Sequence, residues 1–171
     1  YKRQTANFDM YFPEDMIVKA SVDTGFRTVL CGALNNFVSS IEDMEKSYIE
    51  YNDEKYNGLI SYKLGFHAEY TCSKELLEEI GKLAEKYKAP VWTHNSETKK
   101  EVQDCIERYG ITPTKLFDEL GIYNYGGGGY HCVYLNDEDM DIFKEKGLYV
   151  ITNPSSNIKL ASGIAPIDKF V

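Results

Sequence analysis

Short apolar segments rich in β-branched residues alternate with amphipathic segments along the whole chain, and this alternation restricts the possible folds more than any other feature. The apolar segments have the length of strands, and the segments between them show helical spacing of apolar residues. Candidate strands begin on average about every 25 to 30 residues, which leaves room for helical crossovers. Because such crossovers join parallel strands, we expect a parallel α/β sheet.

Turn residues and helix caps divide the chain into elements without a linker or internal domain boundary. The predicted strands are 6–12, 26–32, 59–68, 90–94, 130–135 and 148–153. The predicted helices are 13–24, 41–51, 74–87, 97–109, 113–120 and 138–146. Ser40, Ser73 and Asn136 are the expected N-caps, and Gly25, Gly110 and Gly147 the expected helix ends. We expect one domain over residues 1–171.

Two architectures fit this order of elements. One is an open, doubly wound parallel sheet, and the other is part of a (β/α)₈ barrel. Length alone favours the open sheet, since 171 residues hold six βα units while a complete barrel takes about 250 residues.

Composition restricts the partners and the compartment. The formal charge of −8 disfavours a surface that neutralises phosphates, so nucleic acid is not an expected partner. No apolar segment approaches the roughly 20 residues of a membrane span, and the first residues lack a signal peptide, so we expect a soluble cytoplasmic protein without a membrane partner. The four cysteines are widely separated within apolar segments, which predicts buried free thiols.

The chain has three histidines, and each falls at or near the end of a predicted strand: His67, His94 and His131. In parallel βα folds the carboxyl ends of the strands carry the catalytic and ligand-binding groups. Any one of these histidines could be a structural residue, but all three together favour a site. His94 and Glu97 form an H-x-x-E pair in which the imidazole can bind a metal and the carboxylate can move protons. Glu97 could instead be a first-turn acid that stabilises its helix.

Two further segments have simple structural interpretations. Gly126 to Gly129 precede a strand, which is the wrong order for a phosphate-binding loop, so we interpret them as a mobile loop near the mouth of the site. Asn153 to Asn157 follow an apolar strand and are typical of a turn.

Four motifs occur together in one order along the chain. They are HAEYTCS from His67, HNSET from His94, YHCV from Tyr130 and NPSSNIKLASGIAP from Asn153. In this order and rough spacing the chain resembles the metal-dependent amidohydrolase superfamily, and within it the methylthioadenosine/S-adenosylhomocysteine deaminases. The segments DMYF from Asp9 and GFRTVL from Gly25 fit the same branch.

The resemblance implies a fold, a cofactor and a set of roles. The fold would be a (β/α)₈ TIM barrel with one divalent metal, zinc in preference to iron, and the reaction the hydrolytic deamination of a purine or nucleoside-like small molecule. His94 would be a metal ligand and Glu97 the proton shuttle. His131 would orient or polarise the attacking water, and His67 would contact the substrate.

The chain departs from the family pattern at three places. Glu69 stands where relatives often have Pro, and neither the H-x-H pair of the first strand nor the Asp ligand of the eighth is present. A catalytic zinc takes about three protein ligands, whereas His94 is one and His131 at most a second. We therefore expect an internal fragment, roughly strands 2 to 7 of an incomplete barrel, that is inactive alone, binds metal weakly and self-associates through its open edges. The alternative is a doubly wound binding module or a non-catalytic barrel in which the histidines are structural.

Overall fold

Six strands and seven helices alternate within residues 4–170, which the computed structural model of the protein describes. The strands are β1 (Ala6–Asp9), β2 (Arg27–Cys31), β3 (Ile60–Ala68), β4 (Val91–Asn95), β5 (Gly127–His131) and β6 (Tyr149–Ile151). The helices are α1 (Glu14–Thr24), α2 (Ile41–Tyr51), α3 (Lys74–Tyr87), α4 (Lys99–Tyr109), α5 (Pro113–Glu119), α6 (Asp137–Lys146) and α7 (Pro154–Lys159). Short 3₁₀ turns cover Glu54–Tyr56, Glu69–Thr71 and Ile167–Lys169.

The strands form one parallel sheet in which each strand pairs with the next one along the chain, from β1 to β6. A doubly wound sheet reverses its strand order at a switch point, whereas a barrel adds every strand on the same side. The uninterrupted order therefore excludes the doubly wound alternative.

The sheet is strongly curved, and Phe8 of β1 shows by how much. Its ring centroid lies 4.9 Å from that of Trp92 on β4 and 5.6 Å from that of Tyr130 on β5. In a flat sheet β1 and β4 would be about 14 Å apart, at about 4.8 Å for each strand spacing. The sheet therefore curls so that side chains of distant strands meet on its concave face. The fold is an incomplete (β/α)₈ barrel of six strands, as the resemblance implied.

The convex face carries the main apolar core, which α1 to α5 cover. Tyr62, Leu64 and Phe66 alternate along β3 and are each no more than 1% exposed. Phe66 packs edge-on against Phe117 of α5, with ring centroids 5.0 Å apart. The residues that alternate with them on β3, which include His67, lie on the concave face because successive side chains of a strand point to opposite faces.

Most of the predicted helix limits are confirmed. The side chains of Ser40, Ser73 and Asn136 each accept a hydrogen bond from a backbone N–H in the first turn of the helix that follows. Helices α1, α4 and α6 end at Gly25, Gly110 and Gly147, all in the left-handed conformation. The four cysteines are free and buried, as predicted.

The prediction of a mobile glycine loop near the mouth of the site is wrong. Gly127, Gly128 and Gly129 form most of β5 and are buried, and they lie at the start of that strand rather than at its carboxyl end. A Cβ on Gly127 would overlap the backbone of Val91, and one on Gly128 would lie 2.7 Å from the Trp92 ring. Glycine is needed here because β4 and β6 approach β5 too closely for side chains.

This packing predicts a large loss of stability for Gly127→Ala. A methyl group would collide with the backbone carbonyl of Val91, and the φ of +120° disfavours any L side chain. We expect the free energy of unfolding to fall by about 3 kcal/mol or more, measured by urea denaturation. Gly126→Ala is the matched control, since its φ is +84° but its Cβ would meet nothing within 4 Å, and it should cost only about 1 kcal/mol. Equal losses in the two variants would contradict the steric explanation.

Two other elements differ from the prediction. The strand expected at 130–135 ends at His131, because His131 and Cys132 adopt left-handed backbone angles that turn the chain away from the sheet. Asn153 to Asn157 do not form a simple turn, since Pro154 begins α7. Among residues 4–170, none of the helices is both long enough and apolar enough to cross a bilayer.

Candidate active site

The carboxyl ends of β3, β4 and β5 bring the three histidines into one row. The strand register places Ala68 beside His94 and Asn95 beside His131, so the three side chains lie at nearly the same level. The ring centroids of His67 and His94 are 5.0 Å apart, and those of His94 and His131 are 5.4 Å apart. The enzyme interpretation requires this convergence of the three strand ends.

His94 stands in the middle of the row, and a backbone group determines its tautomer. Its Nδ1 lies 2.7 Å from the carbonyl oxygen of His67. A carbonyl can only accept, so Nδ1 carries the proton and Nε2 has the lone pair. Burial lowers the pKa of His94 to about 4, so the imidazole is neutral at physiological pH. A neutral imidazole with a free Nε2 is the form that binds metals.

His131 is buried and also has its Nδ1 occupied. The Oδ1 of Asn157 on α7 lies 2.6 Å from this nitrogen and accepts its proton, which leaves the lone pair on Nε2. The left-handed φ of +69° at His131 and the hydrogen bond from the Cys132 N–H to the Asn95 carbonyl hold the backbone beside β4. His131 therefore presents Nε2 as an acceptor.

His67 is the most accessible of the three histidines, and its Nδ1 is also hydrogen-bonded. The Thr71 hydroxyl donates to the Ala68 carbonyl at 3.0 Å and so accepts from Nδ1 of His67 at 3.1 Å. Burial lowers the pKa of His67, which again favours the neutral ring. The half-exposed Tyr70 packs edge-on against it, with ring centroids 5.9 Å apart. All three imidazoles therefore have Nδ1 occupied and the lone pair on Nε2.

Glu69, the departure from the family pattern, turns away from the site. Its side chain is 1% exposed, and its Oε2 accepts from the Arg108 guanidinium of α4 at 2.5 Å. The 3₁₀ turn that begins at Glu69 also contains Thr71, so it supplies the hydroxyl that orients His67. Glu at this position is therefore compatible with the row of histidines.

Glu97 lies beside His131, but not on a helix. The prediction that α4 starts at Glu97 is wrong, because Thr98 is the N-cap and the helix begins at Lys99. Glu97 is in the turn after β4, where Ser96 has a left-handed φ of +51°. Its Oε1 accepts from the Ser162 hydroxyl at 3.0 Å, and its Oε2 lies 3.7 Å from Nε2 of His131.

Glu101 of α4 stabilises the turn that carries Glu97 through hydrogen bonds to its backbone. The two carboxylate oxygens of Glu101 accept backbone N–H groups of Ser96 at 3.0 Å and Glu97 at 2.9 Å. Glu101 is 5% exposed, and burial raises its pKa to about 7. The buried carboxylate thus compensates for the strained backbone at Ser96.

Aromatic side chains form the layer below the histidines on the concave face. Trp92 lies two residues before His94 on β4, on the same face of the sheet. Its ring centroid lies 4.9 Å from that of Phe8 and 6.1 Å from that of Tyr149, on which it stacks. Tyr130 packs against both Trp92 and His94. The polar row therefore stands on an apolar base, which excludes water from one side and strengthens the electrostatic interactions above it.

The donor set fits a divalent metal in part. The lone pairs on Nε2 of His94 and of His131 suit zinc or iron, and both rings are held by hydrogen bonds through the other nitrogen, as metal-binding histidines are. Within residues 4–170, however, no group of three or more His, Cys, Asp or Glu side chains could hold a metal ion. A catalytic metal would need further ligands from outside these residues.

Sequence reasoning did not assign four residues that support the site: Thr71, Glu101, Asn157 and Ser162. Asn157 and Ser162 lie within the NPSSNIKLASG motif, where an unusual density of polar residues after an apolar strand was the available clue. Glu101 completes a capping box with Thr98, a pattern that can be read from the sequence.

A curved parallel sheet with imidazoles and a carboxylate at the carboxyl ends of its strands is an arrangement typical of (β/α)₈ barrels. Comparison with known proteins gives the family. Residues 5–171 match the amidohydrolase family, and the chain belongs to it.

Two curated relatives illustrate the similarity in sequence. A 5-methylthioadenosine/S-adenosylhomocysteine deaminase of Caldicellulosiruptor saccharolyticus is 37% identical over 170 residues, which are 98% of this chain and 39% of the relative. A 5'-deoxyadenosine deaminase of Methanococcus vannielii is 40% identical over 173 residues, 98% of this chain and 41% of the relative. The chain thus spans about two fifths of the length of these relatives.

Solved structures show the same fold. An adenosine deaminase of Xanthomonas campestris with bound zinc superimposes with a TM-score of 0.86 at 26% identity, over 97% of this chain and 39% of that one. A guanine deaminase of C. acetobutylicum superimposes with a TM-score of 0.82 at 21% identity, over 96% of this chain and 42% of that one.

Proposed function

We propose that the full-length protein containing this chain is a metal-dependent hydrolase that removes the amino group from an adenosine-like nucleoside. The observation that carries the proposal is the row of three imidazoles, each with its lone pair on Nε2, next to a carboxylate with one oxygen free of protein hydrogen bonds among residues 4–170. The names of the two relatives described above, both deaminases of adenosine derivatives, support the substrate class.

We assign His94 as a metal ligand through Nε2. When bound, a divalent metal supplies Lewis-acid activation of water at neutral pH. Zinc is our preferred metal, and the relative from Xanthomonas campestris contains it. The remaining ligands would come from barrel strands outside residues 4–170, so we also propose that this chain is one part of a single larger barrel domain.

Glu97 and His131 handle the proton and the attacking water in this proposal. The Oε2 of Glu97 takes a proton from the water and delivers it to the ring nitrogen of the substrate. His131 accepts a hydrogen bond at Nε2 and so orients the water toward the ring carbon. The same Oε2 then carries the remaining proton of the added hydroxyl to the amino group. The C–N bond to that group breaks as the C=O bond forms, and ammonia leaves.

His67 contacts the substrate. It stands at the open end of the row, its Nε2 can accept from an N–H or O–H group, and the adjacent Tyr70 offers a flat apolar edge. A planar purine ring has the matching features, namely donors at its edge and faces that pack on aromatic groups.

An ammonia-release assay on the zinc-loaded full-length protein tests the proposal. With adenosine, 5'-deoxyadenosine, methylthioadenosine, S-adenosylhomocysteine and guanine as substrates, we expect turnover of at least one adenosine derivative. The 171-residue chain alone should show no turnover and bind zinc weakly, because its ligand set is incomplete. A full-length protein that holds zinc and releases ammonia from none of the five would contradict the proposal and favour a non-catalytic barrel. A cytoplasmic location, self-association and the absence of nucleic-acid and membrane partners stay predictions.

A further inference from the structure

The segment after β6 contacts both of the groups proposed to handle the proton. Asn157 accepts from Nδ1 of His131 at 2.6 Å, and the Ser162 hydroxyl donates to Oε1 of Glu97 at 3.0 Å. Asn157 is 2% exposed and Ser162 is 4% exposed, so both side chains are shielded from water. One short segment thus bonds to two residues, one at the end of β5 and the other in the turn after β4.

Asn157 and Ser162 form one rigid unit. The backbone N–H of Ser162 donates to the carbonyl oxygen of Asn157 at 2.8 Å, and the N–H of Asn157 donates to the Asn153 carbonyl at 2.9 Å. Between the two, Ala161 adopts a left-handed φ of +56°, which a residue with a Cβ rarely does without compensation. This turn returns the chain so that Ser162 faces the site.

The same unit packs directly against the loop that carries His131. A Cβ on Gly163 would lie 2.9 Å from Cγ1 of Val133 and 3.1 Å from the hydroxyl of Tyr134. Only glycine allows this approach, and the φ of +130° at Gly163 also requires it. The backbone is therefore shaped for contact with the β5 loop, which places Asn157 beside His131.

We infer that Asn157 and Ser162 are positioning residues for the proposed deamination. Asn157 keeps the proton of His131 on Nδ1, so that Nε2 is always the acceptor. Ser162 occupies Oε1 of Glu97, so that Oε2 alone is available to move the proton. Neither side chain needs to touch the substrate. The inference rests on the proposed function, because the two hydrogen bonds affect catalysis only if a proton is transferred at these atoms.

Kinetics of the full-length, zinc-loaded protein test the Ser162 bond. We expect Ser162→Ala to lower kcat by about 10-fold to 100-fold with KM changed less than about threefold and zinc content unchanged. The solvent deuterium isotope effect on kcat should rise as proton transfer becomes slower relative to other steps. Ser162→Thr, which keeps the hydroxyl, should recover most of kcat. Ser155→Ala, on the exposed side of α7, is the control and should match the wild type.

Nitrogen-15 NMR of histidine-labelled full-length protein tests the Asn157 bond independently of turnover. We expect the wild type and Asn157→Asp, which keeps an acceptor, to show His131 protonated on Nδ1. Asn157→Leu should show a mixture of tautomers and a fall in kcat of about 10-fold or more.

Two results would overturn the inference: kcat within twofold of wild type in both Ser162→Ala and Asn157→Leu, or an unchanged His131 tautomer in Asn157→Leu. A wild type without deaminase activity would count against the proposed function instead, and the tautomer measurement would still decide the role of Asn157.

Discussion

Glu97→Gln is expected to lower kcat of the full-length protein by about 10² to 10⁴-fold while leaving its zinc content unchanged. Gln keeps the shape of the side chain and its Oε1 can still accept from Ser162 at the observed 3.0 Å, so the turn after β4 should hold. An amide cannot take up and release a proton near neutral pH, and this is the one property that the substitution removes. Steady-state ammonia release and elemental analysis of the same preparation measure the two effects.

Glu107→Gln is the matched control for this variant. It makes the same chemical change on the exposed side of α4, away from the row of histidines, and should leave kcat unchanged. Near-normal deamination by Glu97→Gln would remove Glu97 from its assigned role.

His94→Asn is expected to remove the metal from the full-length protein. Zinc content should fall from about one equivalent to below about 0.1, with loss of turnover, because the central imidazole of the row supplies a ligand that the shorter amide cannot replace. His67→Asn is the matched control, since it removes an imidazole only one strand away. It should keep its zinc and raise KM, as expected for a substrate contact. Stoichiometric zinc in His94→Asn would show that His94 is not a ligand.

The fold was predictable from sequence to the extent that local patterns determine it. The periodicity of apolar residues located five of the six strands and only the end of β5, and the caps at Ser40, Ser73 and Asn136 located the helix starts. These features depend on neighbouring residues alone. Choosing the barrel over the open sheet required the resemblance, because strand order and curvature depend on contacts between distant strands, such as Phe8 with Trp92.

The errors arose where tertiary packing overrides local preference. A run of glycines has low intrinsic strand propensity, and only the closeness of β4 and β6 makes Gly127 to Gly129 the right residues for a strand. The prediction of the row of histidines was possible because the carboxyl ends of parallel strands share one edge. The supporting contacts could not be predicted, because Asn157 lies 26 residues from His131 along the chain and Ser162 lies 65 residues from Glu97.

The bond that orients His94 has a consequence for how such a site can diverge. The acceptor is the main-chain carbonyl of His67, not its side chain, so every amino acid at position 67 supplies it. A substitution at position 67 therefore does not remove this acceptor, and the ring at position 94 keeps the same tautomer. A single substitution at position 67 can therefore replace one ligand-recognising group with another, while the imidazole of His94 keeps its lone pair on Nε2.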